Sequence, residues 1–236
     1  MKKLFLLVLA AAALAGLAGG CGLLDMSDDV TVQLPEQEFA FDLDADVAKA
    51  QLQQYIETLD PPLNTLDLTN QTEIPTEVCY GGTCVDVPRI QRTLTISVPA
   101  QQVDYRNELA LKDAIETGRV SKVNIDYIKY QITTNSLNFD LPALDLYLDD
   151  LNTTSIQADS DKIARVASIH AGATGEDAVQ FTVEGRQIMS DYLIQDFAFA
   201  FMSQAEFNFD TNVTRSIPGG QLVGKVIVRI SFKVDP

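Results

Sequence analysis

The chain has no tryptophan, one histidine and three cysteines in 236 residues. Basic side chains are scarce as well: 17 lysines and arginines face 33 aspartates and glutamates, leaving a net charge of −16. Each shortage argues against a class of function. Nucleic-acid binding needs clustered Lys and Arg to displace counterions from phosphate, so nucleic acid is a poor partner. His170 is the only base a nucleophilic triad could use, and no serine sits in a G-x-S-x-G elbow. A zinc site wants four ligands, and only His170 could join the cysteines. The glycine-rich stretch GGQLVGK at 219–225 has no Ser or Thr after its lysine, so it is not a phosphate loop. Glycoside hydrolysis needs two carboxylates set against each other, and nothing singles out a pair here. No catalytic residue, cofactor or metal is therefore expected, and the chain is expected not to be an enzyme.

Long apolar runs are also rare, and the one clear example opens the chain. Lys2 and Lys3 precede LFLLVLAAAALA at 4–15, which has the length of a secretory h-region. Small residues follow from Gly16 to Gly20, and then Cys21. Residues 18–21, Ala-Gly-Gly-Cys, resemble the lipobox of bacterial membrane lipoproteins. Alanine stands where the commonest pattern has leucine, and Leu17 lies one place further out. The resemblance implies cleavage before Cys21, which receives lipid and becomes the mature N-terminus. Three acyl chains would anchor a protein stably where one would not. Gly22 takes the place of the aspartate that commonly retains such proteins at an inner membrane, which points to an outer membrane if the organism has one. Two other readings compete. The apolar segment could be an uncleaved transmembrane anchor, although its alanine- and glycine-rich second half gains little from lipid. It could also direct ordinary secretion, with Cys21 merely near the cleavage point.

The other two cysteines sit in EVCYGGTCVDV. A two-residue turn at Gly81-Gly82 would make Tyr80 face Thr83 and Cys79 face Cys84. The second pair is then of the narrow, non-hydrogen-bonded kind, where a cross-strand disulfide fits. An oxidising compartment favours that bond. The same register sets Glu77 opposite Asp86, a like-charge pair that should cost stability.

Beyond 30 the dominant pattern is alternation with period two, the mark of half-buried strands. It runs through Val30, Val32 and Leu34, then Phe39, Phe41 and Leu43, then Ile90 to Val98. Val123, Ile125 and Tyr127 alternate, and Ile128, Tyr130 and Ile132 continue out of phase, which predicts a β-bulge near Tyr127. Further runs are 144–148, 179–183, 197–201, 207–209 and 222–234. Helical spacing is confined to 46–59, with Asp46 as cap, to 105–117 behind Asp104, and to 186–194. These elements predict a mainly β chain: an antiparallel β-sandwich, immunoglobulin-like or related, with two or three short connecting helices. The expected organisation is a signal peptide over 1–20, an acylated flexible tether over 21–30 and one sandwich domain over 31–236.

The acidity is aspartate rather than glutamate, 23 against 10, and aspartate is common in turns because it bonds nearby backbone N–H groups. Asp42, Asp44 and Asp46 match the opening of a calcium loop. Val47 and Gln53 fail its glycine and bidentate glutamate positions, so an acidic strand end is the better reading. The stretch DFAFAFMSQAEFNFD alternates Phe197, Phe199, Phe201, Phe207 and Phe209 with small or polar residues. These five side chains either fill a core or line an apolar-ligand cavity between sheets. The function expected from all this is that of a membrane-anchored cell-envelope lipoprotein acting as a non-enzymatic structural or protein-binding module. Its partners would be the membrane, through the lipidated Cys21, and other envelope proteins. The alternative is a carrier of lipid or another apolar ligand.

Overall fold

Strand formation follows the alternation closely enough to build two stacked antiparallel sheets and a separate hairpin. The computed structural model describes residues 30–106, 108 and 111–235. The expected signal peptide, Cys21 and all of the expected tether but Val30 lie outside them. Val30 is already the first residue of a strand.

The first sheet is organised around the C-terminal strand. β1 (Val30–Gln33) and β2 (Gln37–Asp44) pair with successive halves of β12 (Gln221–Val234) along one edge. β6 (Val120–Asn135) flanks β12 on its other side, and β9 (Gly175–Ala178) follows β6. Leu222, Val228, Ile230 and Phe232 of β12 are buried on the inner face. The bulge expected near Tyr127 is present. Arg229 pairs with Tyr127 but Ile230 pairs with Ile125, so Asp126 is the extra residue. It lets Ile125 and Ile128 both reach the core.

The second sheet has the order β10 (Gln180–Phe181), β8 (Asp161–Val166), β7 (Leu144–Asp149), β11 (Ala198–Asp210), β5 (Gln91–Asp104). β3 (Glu77–Tyr80) and β4 (Thr83–Asp86) form the hairpin. Three short helices, α1 (Asp46–Ile56), α2 (Lys112–Glu116) and α3 (Gly185–Gln195), connect the strands.

Several expected elements change under tertiary pressure. The two phenylalanine runs at 197–201 and 207–209 join in one strand from Ala198 on, because Ala200, Phe201, Ser203 and Gln204 are paired on both sides, by β5 and β7. Phe197, expected in the first run, stands just before the strand at φ 52°. The expected strand at 179–183 is split between sheets. Val179 donates to Ile128 O in the first sheet, Phe181 pairs with Ala164 in the second, and Val183 is fully exposed. The helix expected over 105–117 shrinks to α2. Tyr105 still behaves as a strand residue, its N–H bonded to Phe197 O at 2.8 Å and its ring set edge-on to Phe232. Lys112 and Glu116 form an i,i+4 ion pair on α2. α1 starts at Asp46, whose N–H is received by the Asp44 carboxylate at 2.9 Å.

The sandwich has two distinguishable ends. Tyr105 and Phe197 pack on Phe232, which places them at the end that holds Val30, Val120 and Val234. The opposite end holds Ala45, bonded to Gly220 O, and Thr211, bonded to Ile90 O. The hairpin is rooted at this second end. Ile74 N–H donates to Arg215 O, Arg215 Nε donates to Ile74 O, and Arg89 Nε donates to Asp210 at 3.0 Å.

Candidate functional site

Three places could carry function: a slot between the sheets, a His–Asp pair beside it, and the hairpin. The slot is formed where β2 lies over β5. Phe39 and Phe41 reach it from the first sheet, Val98 and Phe201 from the second, and Tyr130 and Val226 close it from β6 and β12. Phe39, Phe41, Val98 and Val226 are half-buried, so the slot is open to solvent along that side. Its cavity volume is about 30 Å³. That is room for a water molecule or two, far below the few hundred Å³ of a pocket that engulfs a small ligand. A cavity of about 170 Å³ beside it shares Tyr130 and Ile169. Another, of about 300 Å³, shares Val98 and Pro99.

Of the five phenylalanines considered as ligand lining, Phe201 borders the slot. Phe199 and Phe209 are packed at 2% exposure within the core. Phe197 stacks on Phe232 with 6.4 Å between ring centres, and Phe207 stacks on Phe139 at 5.0 Å. Phe39 and Phe41 face the slot beside Phe201. Alternation marked them as a strand face but carried no sign of what that face would meet.

His170 lines the 170 Å³ cavity together with Ser168, Glu176 and Asp177. Its Nδ1 lies 3.0 Å from Asp140 Oδ2, and Asp140 Oδ1 accepts the Ala171 N–H at 2.9 Å. That N–H, and then His170, hold the Asp140 carboxyl below its ordinary pKa. This is half of a triad. Among the described residues no hydrogen bond joins Ser168 to His170, and the imidazole is 80% exposed. A nucleophile hydrogen-bonded to the ring and shielded from water is what acyl transfer would require.

Two of the acidic stretches hold carboxylates already engaged by protein donors. Asp42 accepts from the Gln221 amide, and Asp149 accepts from Ser160, Thr153 and Asp150 N–H. Burial works to raise the Asp149 pKa, but these three hydrogen bonds outweigh it and the net shift is downward. Tyr192 is shifted upward, first by burial and then by the charges of Asp161, Asp149, Asp150 and Asp196. Glu77, Cys79 and Cys84 cluster at metal-ligand spacing, but both sulfurs are committed to a disulfide and offer no thiolate.

The hairpin has the register its glycines predict: Tyr80 opposite Thr83, Cys79 opposite Cys84 and joined to it, Glu77 opposite Asp86. Gly81 and Gly82 supply the two positive φ angles, 59° and 84°, that a two-residue turn of this kind demands. Val78 is its one buried residue, and Tyr80 at the tip is 69% exposed.

No protein-family model matches this chain, and no curated protein is similar to it. A solved chain described as Desmodium yellow mottle tymovirus is 9% identical, with 72% of this chain and 95% of that one covered, at a TM-score of 0.24. A superposition that loose bears on neither fold nor function.

Proposed function

We propose that this chain is a membrane-anchored cell-envelope lipoprotein whose β-sandwich works as a non-enzymatic structural or protein-binding module. The observation that carries the reading is the narrowness of the slot between β2 and β5. At about 30 Å³ it is too small to engulf a cargo molecule, which favours work done at the surface. The lipobox-like AGGC at 18–21 supplies the anchor, and among the described residues no helix is long and apolar enough to cross a membrane. Replacing Cys21 with serine tests the anchor. The variant is expected in the soluble envelope fraction, and its retention in washed membranes would overturn the reading.

A second reading rests on the slot's open side. Phe39, Phe41, Val98 and Val226 are half-buried there, and an apolar chain wedged between β2 and β5 would cover them. Native mass spectrometry of the purified protein separates the two. A stoichiometric lipid beyond the anchor favours the carrier, and a bare acylated chain favours the module.

A further inference from the structure

The sandwich end remote from Val30 bears a projection whose tip no core contact explains. Its root is held firmly by Arg215 on Ile74 O and Pro75 O, by Val87 N–H on Thr76 O, and by the Arg89–Asp210 pair. Its tip is pinned by the Cys79–Cys84 disulfide. A finger so fixed loses little freedom on binding. Its side chains are those of a contact surface. Tyr80 is 69% exposed, and on the same end Val213 is 83% and Val47 51% exposed. Tyrosine is enriched where proteins meet, because a rigid ring gives a large contact area at small entropic cost.

The charges specify the partner. Glu77 and Asp86 stand directly opposite each other, on the hairpin face that also carries the disulfide. Neither belongs to an ion pair among the described residues, and no lysine or arginine occurs within 77–86. Like charges facing across a narrow pair oppose hairpin formation. A cation held between them would turn that repulsion into attraction on both sides. Anionic lipid and nucleic acid would be repelled by the same pair.

We propose that the β3–β4 hairpin is a docking finger for a basic protein surface. An arginine or lysine of the partner bridges Glu77 and Asp86, and partner guanidinium groups stack on the exposed Tyr80 ring. This deepens the module reading above and rests on it: with the tether entering at Val30, the finger is rooted at the end away from the bilayer.

The test uses purified full-length mature protein in detergent micelles and a fluorescein-labelled dodecapeptide of alternating arginine and serine. Its outcome does not depend on whether Cys21→Ser protein leaves the membrane, so the two proposals fail separately. Glu77→Gln with Asp86→Asn is expected to weaken peptide binding at least fivefold, and Tyr80→Ser at least threefold. The control, Asp159→Asn with Glu184→Gln, removes the same charge elsewhere and is expected to change binding less than twofold. The Glu77/Asp86 variant is also expected to gain about 1–3 °C in Tm, since a repulsion has been removed. Weakened binding in a more stable protein cannot be blamed on unfolding. Equal weakening by the control pair, unchanged binding by the hairpin variants, or hairpin-dependent binding to phosphatidylglycerol vesicles but not to the peptide would each overturn the proposal.

Discussion

The side-chain amide of Gln51 completes the edge of the second sheet. Its Nε2 donates to Thr95 O at 2.7 Å, and its Oε1 accepts the Thr95 N–H at 3.0 Å. One glutamine on α1 thus does for β5 what a neighbouring strand would do. Two residues on, Gln53 makes the same two-bond clasp on the loop below, donating to Leu66 O at 3.2 Å and accepting from Leu68 N–H at 2.8 Å. An exposed strand edge invites pairing with another chain, and a side-chain clasp is one way to blunt it.

Gln51→Leu should therefore cost about 2 kcal/mol. It keeps the bulk on α1 but strands a donor and an acceptor that water reaches only partly. Denaturant unfolding would read the loss, and amide exchange at Thr95 should quicken with it. A change under about 0.5 kcal/mol, within the range of an ordinary surface substitution, would show that solvent replaces the clasp.

Asp210 should make stability pH-dependent in acid. The Arg89 guanidinium, and then the Asn212 N–H, lower its carboxyl from 3.8 to about 2. The folded protein binds this proton more weakly than the unfolded chain, whose value stays near 4. The stabilisation is whole above that range and is lost as pH falls toward 2. Asp210→Asn should show a lowered Tm at pH 6 and a deficit that closes below about pH 4. A deficit that stays constant into acid would assign the loss to shape instead of charge.

Reducing the Cys79–Cys84 bond should have a small effect on global stability. The bridged positions are five apart in sequence, so the loop constrained in the unfolded chain is short. A loss of about 1–2 kcal/mol, near the low end of the range for disulfides, is expected from unfolding with and without reductant. A collapse of the whole fold on reduction would mean that the hairpin organises more of the chain than its exposed position suggests.

Gly185→Ala should be among the costliest single changes. A Cβ at this position would lie 1.8 Å from Ile163 O, a carbonyl that already accepts the Thr182 N–H and hydroxyl. The first turn of α3 would have to lift off β8, at about 3 kcal/mol or more. Thermal unfolding would show it, and a variant within about 0.5 kcal/mol of the parent would mean that the helix can shift freely.

Much of this architecture is legible in the residues. Period two marks the faces of β2, β5, β6, β7 and β12, and the phase slip after Tyr127 marks the Asp126 bulge. Gly81-Gly82 sets the hairpin register residue by residue. What sequence could not yield depends on partners far along the chain. Tyr105 reads as helix by its neighbours but is claimed by Phe197 and Phe232. Val179 and Phe181 share a parity yet serve different sheets, because the chain crosses between them. Phe197 to Phe209 look alike in sequence, and which of them meets the slot is decided by what β2 places opposite. The clasps of Gln51 and Gln53 left no mark, since a glutamine on a helix ordinarily faces water.

The pairing of Val30 with Val234 ties the earliest described strand to the last. β2 and β6 also depend on β12, so most of the first sheet waits for the same late segment. Closing a loop that spans most of the described chain is entropically costly. The edge that β1 and β2 share with β12 is therefore completed late, after the second sheet, whose strands all precede Gln221, has found its partners.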